Sequence, residues 1–252
     1  MHYQRCSLKV KAGFIARLFP FDSGRRTMNI LHISDTHGYH EGITDFDGID
    51  VIVHSGDCSN WRDVPRNSVE VFEFLEWYAD VPVAHKIYVA GNHDTSIERR
   101  VYTKEYFSDR GITYLEHEGI EIYGFYFFGS PYTPTYGDWS FMKARDKINR
   151  VWESMPDEID ILITHGPPKG VRDLTEEYGG ELKQCGDSAL MKWVYKHQPK
   201  VHMFGHIHDM KGISNQGIGR YSKSPTTFSN ATCVTDGRFD LGLTSLGNII
   251  VI

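Results

Sequence analysis

The chain has 252 residues, of which 40% are hydrophobic and 24% charged. This composition predicts one globular domain with a substantial core and excludes a disordered or fibrous protein. A formal net charge of −6 gives no basic field for long nucleic acids, and no apolar run is long enough to cross a membrane. Four scattered cysteines without a C-x-x-C pair argue against a disulfide framework or a zinc knuckle, so we expect a cytoplasmic protein.

Residues 1–27 differ from the rest of the chain, because they contain six cationic residues and only one acidic residue, Asp22. Strand-like sequence begins at Met28. The alternatives are an organellar presequence, a disordered tail and an upstream start codon. A low serine content argues against the presequence. We expect residues 1–27 to form a dispensable, poorly ordered basic extension, and residues 28–252 to form a single domain.

Short apolar runs rich in β-branched residues alternate with helical patterns, as expected for an α/β protein whose sheets are covered by helices. Five strands are predicted at 29–33, 50–54, 86–90, 159–164 and 201–204. Helical spacing predicts covering helices over 69–78 and, less clearly, over 141–152 and 188–196. Further strands are predicted over 120–128, 226–235 and 248–252.

Each of these five strands is followed by a polar cluster. In chain order the clusters are Asp35-Thr36-His37, Gly56-Asp57, Gly91-Asn92-His93-Asp94, His165-Gly166 and Gly205-His206-Ile207-His208. Loops at the carboxyl ends of strands in an α/β sheet converge on one ligand site. We therefore expect these five loops to meet at a common rim.

Carboxylate, amide and imidazole groups without thiolate suit Mn, Fe or Zn better than Ca. Turns collect Asp and Asn, and a buried His is usually a hydrogen-bonded core residue, so each motif alone favours a structural role. Five such motifs in order favour a metal site instead. Its predicted ligands are Asp35, His37, Asp57, Asn92, His165, His206 and His208. No chemistry is assigned to the other histidines, which include His32, His54 and His202 within strands.

Taken together, these motifs resemble the signature of the calcineurin-like metallophosphoesterase superfamily. Four further stretches resemble its small branch of metallophosphoesterase-domain-containing proteins: Gly129-Ser130-Pro131-Tyr132, His165-Gly166-Pro167-Pro168, Pro199-Lys200-Val201-His202 and Asn230-Ala231. The resemblance runs from Met28 to the end of the chain. It implies a four-layer α/β/β/α sandwich of two mixed β-sheets flanked by helices.

The resemblance also implies two divalent metal ions, with Mn preferred and Fe or Zn as alternatives. The implied division is Asp35, His37 and His208 on one ion, Asn92, His165 and His206 on the other, and Asp57 on both. His93 would be the general acid, and Asn92, His93 and His165 would contact the substrate. Asp94 would either orient His93 or cap a turn or helix, and both alternatives stay open. Two cations lower the pKa of a shared water, so that it attacks phosphorus at neutral pH.

The substrate is predicted from departures from relatives. Protein phosphatases of this superfamily continue Gly-Asp with an Asp-Arg pair, whereas Asp57 is followed here by Cys58-Ser59-Asn60-Trp61. Some animal members of the small branch have Gly in place of His206, so its retention favours a complete second metal site. We expect a phosphodiesterase for small diesters such as cyclic nucleotides, with oligomeric state open. The alternatives are a phosphomonoesterase or protein phosphatase, and a catalytically weak metal-binding scaffold.

Four aromatic residues lie near these motifs in sequence: Trp61, Tyr132, Tyr136 and Trp139. They could stack on a nucleobase, although loop aromatics more often pack against their own domain.

Overall fold

Two mixed β-sheets pack face to face in the computed structural model, which describes residues 27–176, 180–221, 224–235 and 242–252. The first sheet contains β1 (Asn29–Ile33), β2 (Val51–His54), β3 (His85–Tyr88), β4 (Ile112–Tyr114) and the last strand, β15 (Asn248–Val251). The second contains β5 (Glu118–Ile122), β6 (Phe125–Ser130), β9 (Ile161–Thr164), β12 (Val201–Phe204), β13 (Gly217–Arg220) and β14 (Thr227–Asn230).

Two short ribbons and the helices complete the described part of the chain. The ribbons are β7 (Thr133–Pro134) with β8 (Met142–Lys143), and β10 (Leu174–Glu176) with β11 (Leu182–Gln184). The helices are α1 (Val64–Asp80), α2 (Thr95–Glu98), α3 (Lys104–Ser108), α4 (Ile148–Glu153) and α5 (Ser188–His197), with a 3₁₀ turn at His40–Gly42. None of these helices is long and apolar enough to cross a membrane. The cytoplasmic location stays a prediction.

Strand order places the predicted polar clusters at one rim. In the first sheet the order is β15-β1-β2-β3-β4, and β1 to β4 are parallel. In the second it is β13-β14-β12-β9-β6-β5, and β6, β9, β12 and β14 are parallel. The carboxyl ends of β1, β2 and β3 are therefore neighbours, as are those of β9 and β12.

Side-chain alternation along the strands produces three buried layers. In β1, Ile30 packs into the core between the two sheets, while Leu31 and Ile33 pack beneath the helices of the first sheet. In β9, Ile161 faces the core between the sheets and Leu162 packs with α4 and α5. This alternation confirms the predicted four-layer sandwich.

Helix α1 shows how local sequence fixes one outer layer. The Asp63 side chain accepts a hydrogen bond from the Arg66 backbone N–H at 3.2 Å and caps the helix. Phe74 and Tyr78 lie on its fully buried stripe, and burying each contributes about 1.5–3 kcal/mol. The Tyr78 hydroxyl lies 2.9 Å from the Ile87 carbonyl, so this ring also ties the helix to β3.

Three predicted elements differ in the structure. The run 120–128 is a hairpin of β5 and β6, because Tyr123 and Gly124 form a turn with φ of 51° and 77°. The helix predicted over 141–152 is restricted to α4, and Met142–Lys143 instead forms β8. The strand predicted over 226–235 is restricted to β14.

The helix predicted over 188–196 is confirmed as α5. The extension predicted for residues 1–27 lies, except for Thr27, outside the described residues, and the domain boundary at Met28 stays a prediction.

Candidate metal centre

The five predicted loops converge where the two sheets share a rim. Two groups form there, each with its ligand atoms within 4.8 Å of one another: Asp35, His37 and His208 in one, and Asp57, His165 and His206 in the other. The Asn92 amide oxygen lies 2.9 Å from His165 Nε2 and so joins the second group. The fold thus brings all seven predicted ligand positions together. The two groups follow the implied division, except that Asp57, which was implied for both ions, is grouped here with His165 and His206 only.

The backbone at this rim is unusual. Positive φ angles occur at Asp35 (51°), His37 (42°), Asp57 (59°) and His206 (70°). Such conformations cost of order 1–3 kcal/mol each and persist only where the surroundings enforce them. Here the Asp35 carboxylate accepts the His206 backbone N–H at 2.9 Å, which ties the ends of β1 and β12 together across the two sheets.

Three histidines are oriented by backbone carbonyls. Nδ1 of His37 lies 2.9 Å from the Ser59 carbonyl, Nδ1 of His165 lies 2.9 Å from that of Ser55, and Nδ1 of His208 lies 2.9 Å from that of Val234. A carbonyl can only accept, so Nδ1 donates in each case. Each Nε2 is then directed at the centre, an arrangement typical of metal-binding imidazoles.

Three close contacts at the centre pair an imidazole Nε2 with an acceptor oxygen. His165 Nε2 lies 2.9 Å from the Asn92 amide oxygen and 3.3 Å from Asp57 Oδ2, and His208 Nε2 lies 3.2 Å from Asp35 Oδ1. A lone pair facing an acceptor oxygen is repulsive unless a proton or a cation lies between them. Nitrogen and oxygen donors without thiolate fit divalent metal ions.

Burial and charge act together on these groups. Burial lowers the pKa of His37 to about 4 and that of His206 to about 3, so both are neutral and able to bind a cation. Burial also opposes a charge on His165, but the adjacent Asp57 carboxylate outweighs it and raises the pKa to about 9. Without metal, a proton on His165 therefore compensates the Asp57 charge.

His93 lies on the solvent side of the centre. Its backbone N–H donates to Asp57 Oδ1 at 2.7 Å, and its Nδ1 donates to the Asn60 carbonyl at 3.1 Å. The half-buried ring lies 4.8 Å from that of His37 and 4.4 Å from that of Trp139. With Nδ1 committed to a carbonyl, Nε2 is the nitrogen available for proton transfer.

Asp94 caps its own turn, as one open alternative described, and also binds the neighbouring Asp57 loop. Its fully buried carboxylate accepts the backbone N–H groups of Gly91 at 2.7 Å and Asp57 at 3.0 Å, together with the Tyr88 hydroxyl at 2.7 Å. It makes no side-chain cap on α2, and its hydrogen bonds reach these groups rather than the His93 ring. The carboxylate points into the loops, so Asp94 holds them together beneath the ligands.

The sequence prediction missed two buried amides that support the site. Asn67 in α1 donates to the carbonyls of His93 and Trp61, each at 2.7 Å, and Asn230 at the end of β14 donates to the Ile207 carbonyl at 2.9 Å. An amide at a buried position of the α1 helix was the available signal for Asn67. Asn230 was noted only as part of a branch motif.

The four candidate aromatics separate into two pairs. The ring of Tyr136 lies 5.4 Å from that of His206, so Tyr136 approaches the centre at His206 and Trp139 approaches it at His93. Tyr132 packs against the hydrophobic core, and the Arg66 guanidinium lies 4.5 Å from the ring of the exposed Trp61.

Comparison with known proteins agrees with this geometry. The family model for calcineurin-like phosphoesterases matches residues 28–210. A UPF0046 protein of Caenorhabditis elegans is 32% identical over 86% of this chain and 74% of its own length. Human metallophosphoesterase domain-containing protein 1 is 30% identical over 81% of this chain and 65% of its own length.

A solved structure shares the fold at low identity. Phosphopantetheinyl hydrolase of Mycobacterium tuberculosis superposes with a TM-score of 0.53 at 14% identity, over 83% of this chain and 90% of that one. Together with the family model and the curated relatives, these findings show that the chain belongs to the calcineurin-like phosphoesterase family and is a metal-dependent phosphoesterase.

Proposed function

We propose that this phosphoesterase hydrolyses small phosphodiesters, such as cyclic nucleotides, with two bound manganese ions. The observation that carries the proposal is the segment after Asp57, which presents no cation up to Trp61. Cys58 in this segment is fully buried, and the Asn60 backbone N–H donates to Glu70 at 2.7 Å. A diester carries one negative charge fewer than a monoester dianion, so it needs no arginine at this position.

The next cation in the sequence, Arg62, contacts the loop that carries Trp139. The Arg62 guanidinium lies 4.1 Å from the centre of the Trp139 ring and donates to the Asp138 carbonyl. Its charge is therefore engaged with the loop that carries Trp139. This placement supports a diester rather than a monoester substrate.

The ligand roles follow the two groups described above. Asp35, His37 and His208 would hold one ion, Asn92, His165 and His206 the other, and Asp57 both. When bound, the ions supply Lewis acidity toward phosphoryl oxygens and an activated water. Manganese suits this mixture of oxygen and imidazole donors, as do iron and zinc.

His93 and the flanking aromatics act on the substrate itself. Nε2 of His93 would donate a proton to the leaving oxygen, while its Nδ1–H stays bonded to Asn60. Asn92 and His165 would lie against the phosphoryl group beside it. Tyr136 lies beside His206 and Trp139 beside His93, so one of them could stack on a nucleobase, worth about 1–3 kcal/mol.

The test compares ester classes on metal-stripped protein reloaded with manganese. We expect bis-p-nitrophenyl phosphate and a cyclic nucleotide to be hydrolysed faster than p-nitrophenyl phosphate, and a chelator to abolish turnover. His93→Ala should remove activity, whereas His117→Ala, outside the centre, serves as the matched control. Preference for the monoester would support a phosphatase. Absence of turnover with two metals bound would support the scaffold.

A further inference from the structure

Backbone hydrogen bonds hold the loop between β7 and β8, residues 135–141, against the metal centre. The Thr135 backbone N–H donates to the Lys143 carbonyl at 2.9 Å and so extends the pairing of the ribbon into the loop. Near the other end of the loop, the Ser140 backbone N–H donates to the carbonyl of the predicted ligand Asn92 at 3.2 Å. The backbone of this loop is therefore fixed relative to the ligands.

A glycine allows the ribbon to approach the ligands closely. A Cβ added to Gly166, which follows the ligand His165, would lie 3.1 Å from the Cγ2 atom of Thr133 and 3.8 Å from the Cδ2 atom of His206. Thr133 begins β7, three residues before Tyr136. The ring of Tyr136 lies 5.4 Å from that of His206, so it stands beside the second ligand group.

The Tyr136 hydroxyl is free to bind a substrate. It makes no hydrogen bond with the residues that the structure describes, and 54% of the residue is exposed. Burial of the hydroxyl, and after it the carboxylates of Asp57 and Asp35, raise its pKa above the usual range of a tyrosine. The influence of these two carboxylates shows that the hydroxyl lies within electrostatic reach of both ligand groups.

The phosphoryl oxygens of a substrate need a donor that the segment after Asp57 does not supply. The segment contains no cation before Arg62, whose guanidinium lies 4.1 Å from the centre of the Trp139 ring. His93 lies beside the same Trp139, where it is assigned to the leaving oxygen. The hydroxyl of Tyr136, which lies beside His206 instead, can therefore serve a different oxygen.

We propose that the Tyr136 hydroxyl donates a hydrogen bond to a non-bridging phosphoryl oxygen of the substrate. A donor fixed in advance beside a charged oxygen stabilises the transition state without reorganisation. Tyr136 is then a catalytic residue in addition to the metal ligands and His93. The proposal rests on the proposed function, because it places the phosphorus at the metal centre.

The first test removes only the hydroxyl. In manganese-loaded Tyr136→Phe, we expect kcat/KM for bis-p-nitrophenyl phosphate to fall about ten- to hundredfold, the range of one hydrogen bond to a charged group. Tyr195→Phe changes an exposed tyrosine of α5 outside the centre and should behave as wild type. Elemental analysis should find the same metal content in both variants. Wild-type kcat/KM in Tyr136→Phe, or loss of metal from it, would overturn the proposal.

A second comparison separates the hydroxyl from the ring. We expect Tyr136→Phe to lose activity by a similar factor on bis-p-nitrophenyl phosphate and on a cyclic nucleotide. If Tyr136 acted only by stacking on a nucleobase, Tyr136→Phe would keep its activity on both esters, and Tyr136→Leu would lose activity on the cyclic nucleotide alone. That pattern would overturn the role of the hydroxyl.

A binding measurement distinguishes failure of this proposal from failure of the proposed function. Calorimetry on the manganese-loaded protein uses orthovanadate, which adopts the five-coordinate geometry of the transition state and requires no turnover. Binding about ten- to hundredfold weaker in Tyr136→Phe than in wild type and in Tyr195→Phe would support the proposal even if monoesters were the preferred substrates. Equal binding in all three proteins would overturn it while leaving diester hydrolysis intact.

Discussion

Replacing Asp94 by asparagine tests whether this carboxylate holds the ligand loops together. The substitution keeps the shape of the side chain but replaces one of its two oxygens with an NH₂ group. Oδ2 accepts from Gly91, Asp57 and Tyr88, and Oδ1 accepts the Cys58 backbone N–H at 3.2 Å. In either orientation of the amide, a donor would therefore face a buried backbone donor.

The magnitude follows from these bonds. One buried N–H left without an acceptor costs about 1–3 kcal/mol. The two or three remaining bonds lose their charge assistance, which is worth about 1 kcal/mol each. Removal of the negative charge also relieves repulsion from Asp57, which partly offsets the loss. We expect Asp94→Asn to lower the free energy of unfolding by about 2–4 kcal/mol, a large part of a typical total of about 5–15 kcal/mol.

The assay is urea unfolding of the metal-free protein at neutral pH, followed by circular dichroism. Asp146→Asn, which changes an exposed carboxylate, should remain within about 0.5 kcal/mol of wild type. Because Asp94 fixes the Asp57 backbone, manganese affinity and kcat/KM should fall in the Asp94 variant but not in the control. An Asp94→Asn protein with wild-type stability and wild-type manganese affinity would refute this role.

Three further predictions concern the centre. His93→Ala should retain its metals while turnover falls about 10²–10⁴-fold. Elemental analysis and a measurement of kcat check this prediction. A fully active variant would contradict the role of His93 as the acid. Asp57→Ala should lose metal, since the proposed division places this carboxylate on both ions, and two ions bound per chain would be inconsistent with that role. Gly56→Ala should unfold at a much lower temperature than Gly111→Ala. A Cβ at Gly56 would lie 2.5 Å from His165 Nδ1, whereas Gly111 also has a positive φ, 69° compared with 111° at Gly56, but open space around it. Equal losses would mean that the positive φ, and not the contact with His165, sets the cost.

Much of the site was predictable from sequence because parallel strands have a fixed direction. Asp35, Asp57 and Asn92 follow β1, β2 and β3 within a few residues, and His165 and His206 follow β9 and β12. Strand direction then decides that all five loops lie at one rim, whatever the details of packing. Residue type at a strand end was therefore sufficient to predict which side chains meet at the candidate metal centre.

The bounds of an element were not predictable where neighbouring apolar residues pack into different hydrophobic cores. Phe141, Ile148 and Trp152 have spacing compatible with one helical stripe. In the structure Phe141 packs beneath the helices of the first sheet, while Ile148 and Trp152 pack on the second. An apolar pattern indicates burial but not which core receives the side chain. For the β5–β6 hairpin, Gly124 within the apolar run was the signal of a turn.

The strand histidines show a different limit of sequence reasoning. His32, His54 and His202 were not predicted as metal ligands, and in the structure they are hydrogen-bonded core residues. Burial lowers the pKa of His54 to about 3, so its ring is neutral: Nδ1 accepts the Gly56 backbone N–H at 3.2 Å, and Nε2 donates to the Thr36 hydroxyl at 3.0 Å. One buried imidazole thereby fixes both loops that carry the strained ligands of the first sheet. Sequence spacing assigns such a histidine to the core. Only the register of β1 against β2 shows that His54 lies beneath the metal centre, where it also maintains the geometry of the two loops.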